Sequence, residues 1–351
     1  MGVFDYSKHL DKSGCIITPS SFLPFMEGNI VTINKDFRKT IELLKKIAKT
    51  KVPIFLQGPS GVGKEVLADY IHNNSANTSA PFVKFNCAAI PEQLVESEFF
   101  GYLPGSFTGA SGSGKKGLLE LANNGALFLD EIAEMPLHIQ AKLLRFLQNG
   151  KFRKVGGEKE YTVDVRIIAA TNQNISASIK NGCFREDLFF RLNVVPVYLQ
   201  PLKERKEDIP VLALYFLDLF NKQYNTNKRI TYETMVEFVN YGWPGNAREL
   251  RNTIERLVLI TLDNKLSTGD LTYTHYISER YNTFNDHALF SIDTVNDKNK
   301  TSLKAIMEDL EKDVILKAVQ KYGSIRKAAD ILQVASSTIS RKISKYNKNN
   351  M

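Results

Sequence analysis

Cysteine is scarce in this chain. Cys15, Cys87 and Cys183 are its only three, they stand far apart, and no two share a Cys-x-x-Cys spacing. That argues against a disulfide framework or a zinc site, and Cys87 and Cys183 read as buried small apolar residues. No apolar run reaches the roughly 18 residues of a membrane span. The stretch from Met1 to Leu10 lacks the apolar core of a signal peptide, so a soluble, cytoplasmic protein without a membrane partner is expected. Sustained periodicity is also missing from residues 1–28, which read as a short N-terminal extension with no sensory module. What remains suffices for two or three units, since 43% of the 351 residues are hydrophobic. The net charge of +8 is unevenly spread: from Thr301 to Met351 ten Lys or Arg face five Asp or Glu, so five of the eight positive charges lie there. A polyanionic partner is expected for that end.

The most informative stretch is Gly58, Pro59, Ser60, Gly61, Val62, Gly63 and Lys64, directly after the apolar residues Val52, Pro53, Ile54, Phe55 and Leu56. It reads as a strand feeding a phosphate loop. The glycines let backbone N–H groups turn inward, and Lys64 can reach the terminal phosphates of a nucleotide. A helix over 65–72 presents its N-terminus to the anion, with Glu65 where Ser or Thr usually holds magnesium. Taken alone, the loop is also similar to that of guanylate kinases.

Helical spacing predicts a helix over 36–49 before this loop. After it come a strand over 82–85 ending at Asn86 and a helix over 91–100. Residues 101–117, with six glycines, are expected to form a long flexible segment, of the kind that is usually functional. Gly125 to Leu129 is a buried strand ending in Asp130 and Glu131, two acids at the C-terminal edge of a parallel sheet. A helix over 136–148 and a turn at Gly156-Gly157 precede a strand over 163–170 that ends in Thr171 and Asn172. Alternation of strands and helices predicts an α/β fold with a parallel sheet and the ligand at its strand ends. Helices over 209–224, 231–240 and 246–261 form a lid, and residues 263–300 have linker composition. A helix over 303–321, then short helices over 324–332 and 336–346, give a small all-α helix-turn-helix.

Together these stretches resemble the AAA+ P-loop NTPase domain of bacterial sigma-54-dependent enhancer-binding activators, over roughly residues 30–262 plus the C-terminal module. Glu65 fits that pattern. The strongest sign is Gly105-Ser106-Phe107-Thr108-Gly109-Ala110, similar to the hexapeptide that engages sigma-54, whose usual second residue is Ala. The resemblance implies ATP and Mg2+ as ligands, with Lys64 on the β- and γ-phosphates, Asp130 holding magnesium through water and Glu131 polarising the attacking water. It implies Asn86 as a switch on Glu131, Thr171 and Asn172 as a first sensor, and Arg248 as a second. Arg185 and Arg191 match the pair donated to a neighbouring subunit in a hexameric ring. The family's partners are sigma-54 with RNA polymerase and double-stranded DNA upstream of the promoter.

In the C-terminal module Gln333 stands at the turn position often held by Gly. Ser336, Ser337, Thr338, Ser340 and Arg341 are placed to reach base edges, and Arg326, Lys327, Lys342 and Lys345 to meet phosphates. Dimeric modules would set half-sites about 34 Å apart or a multiple of that. The expected division is an extension (1–28), an AAA+ α/β part (29–200), a helical lid (201–262), a linker (263–300) and a helix-turn-helix domain (301–351). The reading is an ATP-hydrolysing transcription activator. Its competitors are a DNA-binding repressor or scaffold whose ATPase is uncoupled from sigma-54, and a nucleotide kinase, disfavoured because no base-binding domain is evident.

Overall fold

The computed structural model describes residues 10, 14–16, 25–106, 113–270, 315, 319, 323–331 and 334–348, in two units that divide between Tyr276 and Ile277. The first unit opens with an antiparallel pair, β1 (Phe25–Glu27) and β2 (Ile30–Thr32). Helix α1 (Lys35–Ala48) starts where the Asn34 side chain accepts from the Phe37 amide, and it buries Ile41, Leu44 and Ala48 along one face. Strand β3 (Ile54–Gln57) leads through the glycine loop into α2 (Lys64–Asn73). Next come β4 (Phe82–Asn86), α3 (Glu92–Phe100), β5 (Gly101–Tyr102), β6 (Lys115–Lys116), α4 (Leu118–Leu121) and β7 (Gly125–Asp130). The layer is completed by α5 (Leu137–Asn149), β8 (Lys151–Arg153), β9 (Glu160–Thr162), β10 (Val165–Thr171), α6 (Ile175–Lys180), α7 (Glu186–Leu192) and β11 (Val195–Tyr198).

The central sheet has the order β11-β3-β10-β7-β4, and every pair in it is parallel. Its strands are apolar on both faces because both are covered. Phe55, Leu127, Leu129, Ile167 and Ala169 point into one core with residues of α3, α5 and α7. Their neighbours Ile54, Leu56, Phe128, Ile168 and Ala170 point into the other, against α1 and α2. Parallel pairing brings the strand ends to one edge: Asn86 stands opposite Asp130, and Gln57 opposite both Thr171 and Tyr198. That edge is where an open α/β sheet binds its ligand.

The lid comprises α8 (Asp208–Tyr224), β12 (Arg229–Ile230), α9 (Tyr232–Asn240), α10 (Asn246–Ile260) and β13 (Lys265–Leu266), around a core of its own. Trp243, 1% exposed, lies edge-on to Phe238 and Tyr241 and donates its indole N–H to the Phe238 carbonyl at 2.7 Å. Trp243→Ala is expected to destabilise the protein by about 3–5 kcal/mol, combining a large cavity with an orphaned carbonyl. A lower urea midpoint measures it.

Three expectations need correction. The extension over 1–28 is partly structural: Cys15 and Ile16 are buried, and the Ile16 amide donates to the Ile230 carbonyl at 3.0 Å, so the segment adds an edge to the lid. The stretch from 263 begins inside the lid, because β13 pairs in parallel with β12 and Leu266 is fully buried. Of residues 101–117, expected to be flexible, 107–112 lie outside the described residues, and the described ends pair antiparallel as β5 and β6. Cys87 is buried as expected, but Cys183 is exposed, carried out on the turn that Gly182 makes at φ +70°.

In the second unit α11 (Ile325–Ile331) and α12 (Ser336–Lys348) are joined by a turn in which the Val334 amide donates to the Ala329 carbonyl at 3.0 Å. Ile315, Ala329 and Ile339 form a small core with Val319 and Ile325 against it. Most of the helix expected over 303–321, and Gln333, lie outside the described residues.

Candidate functional site

At the C-terminal edge of the sheet a cavity of about 470 Å³ is lined by the glycine loop from Ser60, the first turn of α2, Asp130, Glu131 and residues of the lid. The loop is held by close backbone approaches. The Gly58 amide donates to the Thr171 carbonyl at 3.2 Å, and a Cβ on Gly58 would meet the Leu199 carbonyl at 2.6 Å. A Cβ on Gly61, at φ +74°, would fall 2.3 Å from the Gly245 carbonyl. Both positions therefore require glycine. The first turn of α2 leaves amides without intrahelical partners, which favours an anion there.

Lys64 is 7% exposed, and its ammonium donates to the Gly58 carbonyl at 2.9 Å and the Pro59 carbonyl at 3.4 Å. Burial pulls its pKa below the ordinary lysine value; Glu131 and Asp130 oppose that shift and Arg248 adds to it. A polyphosphate would supply the negative charge this buried cation lacks. Glu131 holds a left-handed backbone (φ 49°), a strained conformation for a residue with a Cβ. Its carboxylate lies 3.9 Å from Lys64 Nζ and accepts the Asn172 amide at 3.1 Å. Asp130 accepts the Glu131 amide at 3.0 Å and keeps its second oxygen available to a hydrated cation. A buried lysine, a glycine cradle and two adjacent carboxylates make a donor set that fits a nucleoside triphosphate with magnesium.

Glu65 lines the cavity at the start of α2, but its carboxylate pairs with Lys84 at 3.0 Å. Thr171 is fully buried and its hydroxyl accepts from the Gln173 amide. Asn86 stands opposite Asp130, and its side-chain oxygen accepts the Ala88 amide at 2.9 Å, while Glu131 accepts the Asn172 amide. From the lid, Arg248 donates to the Ser60 hydroxyl at 2.9 Å and its amide to the Gly61 carbonyl at 3.2 Å. Arg185 and Arg191 do not line the cavity. Arg185 makes a two-point contact with Asp187, at 3.0 and 2.7 Å, which pushes its pKa up, and Arg191 donates to the Leu147 carbonyl at 2.9 Å.

Several residues at the site carry no signal in the sequence. Asn246, at φ 54°, donates to the Ser60 carbonyl and accepts the Leu202 amide, both at 2.8 Å. Arg205, 4% exposed, donates to the Val62 carbonyl at 3.0 Å and packs over the Phe37 ring. Asp208 is fully buried and accepts from the Thr32 hydroxyl and the Ile33 and Asn34 amides. Burial pushes its carboxyl pKa up, against those hydrogen bonds and Arg205. Together they fasten the lid to the phosphate loop and to β2. An acid at the start of a helix is a visible feature, but its burial is not. Phe37, Tyr215 and Phe216 add aromatic walls to the cavity.

Gln140 is a further omission. It is fully buried; its amide nitrogen donates to the Met135 and Cys183 carbonyls and its oxygen accepts the Arg185 amide at 2.8 Å. Helix α5 therefore sets the stations of both arginines.

Of the hexapeptide, Gly105 and Ser106 are described, whereas Phe107, Thr108, Gly109 and Ala110 lie outside the described residues. On α12, Ser336, Ser337, Ser340 and Arg341 are exposed, Thr338 and Lys342 are half-buried and Ile339 is buried. Arg326 and Lys327 are exposed on α11; Lys345 lies within α12, its side chain outside the described residues.

Residues 30–198 match the Sigma-54 interaction domain family, residues 203–286 the AAA+ ATPase lid domain and residues 300–349 a helix-turn-helix domain. An uncharacterized protein in the HyuA 5' region of Pseudomonas sp. (strain NS671) is 45% identical over 303 residues, 86% of this chain and 99% of that protein. The candidate uric acid sigma-54-dependent transcriptional regulator UacR of Escherichia coli is 43% identical over 315 residues, 88% of this chain and 52% of that protein. The crystal structure of NtrX from Brucella abortus in complex with ATP matches with a TM-score of 0.71 at 33% identity, covering 91% of this chain and 69% of that one. The chain spans about half the length of most of the curated relatives it matches. These matches set the nucleotide-kinase reading aside.

Proposed function

The chain belongs to the sigma-54 activator family, with its AAA+ lid and C-terminal helix-turn-helix domain, and from that premise we propose that it is an ATP-hydrolysing transcription activator. It binds DNA upstream of a promoter and remodels the sigma-54 RNA polymerase holoenzyme so that the promoter opens. The observation that carries this reading is the contact of Glu131 with both Lys64 and the Asn172 amide, at the end of a cavity that Arg248 touches from the lid. One acid joins the phosphate lysine to the tip of the neighbouring strand, so hydrolysis and a conformational signal share a residue.

Lys64 exchanges the Gly58 and Pro59 carbonyls for the β- and γ-phosphates, as a buried cation favours. Asp130 would hold magnesium through water, and that ion would supply charge neutralisation on the phosphates. Glu131 orients the attacking water and takes its proton. Asn86 competes with the Asn172 amide for Glu131, Thr171 and Asn172 register the γ-phosphate, and Arg248 transmits its loss to the lid. Arg185 and Arg191, exposed and outside the cavity of their own subunit, act on the nucleotide of the next subunit in a hexameric ring. The segment bearing Phe107 and Thr108 binds sigma-54 with different affinity in the ATP and ADP states, which is what couples turnover to remodelling. Ser336, Ser337, Thr338, Ser340 and Arg341 read base edges, while Arg326, Lys327, Lys342 and Lys345 hold phosphates.

Two measurements test this. Lys64→Ala is expected to weaken ATP binding about 100-fold, the scale for removing a charge-assisted hydrogen bond to phosphate in a shielded site; unchanged binding by calorimetry would remove the nucleotide half. The protein with ADP and aluminium fluoride is expected to trap sigma-54, and Thr108→Ala to abolish the complex. A second reading, a repressor or scaffold uncoupled from sigma-54, is favoured by one observation: the Ser106 hydroxyl is bonded to the Leu103 and Val155 carbonyls. ATP turnover without any trapped complex would select it.

A further inference from the structure

Ser106 stands where the sigma-54 hexapeptide usually carries Ala, and its hydroxyl is in use. It donates to the Leu103 carbonyl and the Val155 carbonyl, the latter at 2.9 Å, just before the turn at Gly156-Gly157 between β8 and β9. The turn is shaped to receive it. A Cβ on Gly156, itself at φ +74°, would lie 2.5 Å from Ser106 Oγ and 2.8 Å from Ser106 Cβ. A Cβ on Gly157 would lie 2.9 Å from Leu103 Cδ1. The backbone repeats the contact: the Leu103 amide donates to the Val155 carbonyl at 3.1 Å, and the Val155 amide to the Gly101 carbonyl at 2.9 Å.

The same hairpin also holds the far end of the segment. Lys154 pairs with Glu120 at 2.8 Å, both side chains mostly buried, and Glu120 accepts the Gly117 amide at 3.1 Å. Residues 150–162 therefore hold the described residues that flank 107–112 on both sides. They are also the covalent link between α5, which leaves the Asp130-Glu131 strand end, and β10, which ends at Thr171 and Asn172.

We infer that Ser106 is a positioning residue whose hydroxyl clasps residues 101–106, the approach to the hexapeptide and its first two residues, onto the β8–β9 turn, so that they leave the turn only when that bond is released. The inference rests on the proposed sigma-54 partner for its consequence, but the clasp is a property of this chain alone. Release costs about the worth of one hydrogen bond, so removing the hydroxyl is expected to shift the held-to-released balance about two- to tenfold.

The test is amide hydrogen exchange of the full chain, read by mass spectrometry, with sigma-54 affinity measured beside it. In Ser106→Ala, exchange over 101–106 and 155–157 is expected to accelerate about two- to tenfold, and sigma-54 to bind the nucleotide-free protein more tightly by the same factor. A residue that only supported the fold would weaken binding when removed. Gly156→Ala leaves the hexapeptide untouched and pushes Ser106 off the turn, so the same acceleration is expected. Exchange in Ser106→Ala equal to that of the unaltered protein overturns the clasp, as does weaker sigma-54 binding. Faster exchange in both variants with no sigma-54 binding by any form upholds the clasp and removes sigma-54 as the partner.

Discussion

Arg185→Ala is expected to lower ATP turnover by about 10³- to 10⁵-fold, the worth of an arginine finger, while the altered subunit still binds nucleotide. The reason lies in where the guanidinium is. It stands at the start of α7, 43% exposed and paired with Asp187, and it does not line the cavity of its own subunit. In the proposed ring it would serve the neighbouring subunit's site. Its backbone is fixed by the Gln140 side chain, so the arginine is presented from a stiff base despite its exposure. Binding of a fluorescent nucleotide should stay within about threefold of the unaltered protein, the small effect of removing an exposed ion pair, as turnover collapses. Mixing Arg185→Ala with Lys64→Ala subunits should restore activity. One brings an intact cavity and the other an intact finger. A parallel fall in nucleotide affinity, or no recovery on mixing, would place the arginine's role within its own subunit.

Glu131→Gln is expected to lower turnover by about 10²- to 10⁴-fold, the range for removing a general base, with ATP still bound. The amide keeps the shape and can still accept the Asn172 amide, but it takes no proton from water. The strained backbone at φ 49° aims this side chain between Lys64 and Asn172, a placement an ordinary strand end would not give. Single-turnover hydrolysis measures the effect. A fall of less than tenfold would turn attention to Glu134, on the next turn, whose carboxylate accepts from the Gln173 side chain.

Much of this is legible from residue order. The glycine loop, the apolar strand ending in Asp130 and Glu131, and the strand ending in Thr171 announce themselves because a doubly covered parallel sheet needs continuous apolar runs with polar tips. Helix α10 begins at Asn246, as the Trp243-Pro244-Gly245 break implies. What stays hidden depends on distance in sequence. Asp208 reads as a solvated acid until Thr32, Ile33 and Asn34 fold over it. Gln140 sits among apolar residues at helical spacing, and nothing local marks it as the partner of Cys183 and Arg185. Strands β8 and β9 are three residues each, too short for a periodic signal, although the glycine pair between them marks a turn. Ser106 is visible as a departure from the usual hexapeptide, but its purpose needs Val155 beside it.

The short pairing of Cys15 and Ile16 with the lid has a bearing on how the protein behaves when cut. Strand β12 is covered by β13 on one side, and on the other the Ile16 amide reaches the Ile230 carbonyl while the Tyr232 amide reaches the Gly14 carbonyl at 3.2 Å. A chain trimmed to start at residue 30, where the family match begins, would lack that cover. It would keep the cavity apart from Asn29 at its rim yet expose an unpaired strand edge beside apolar Ile230, a template on which a second molecule can add a strand. Shortened preparations would then be limited by self-association in the test tube, even with every nucleotide ligand in place.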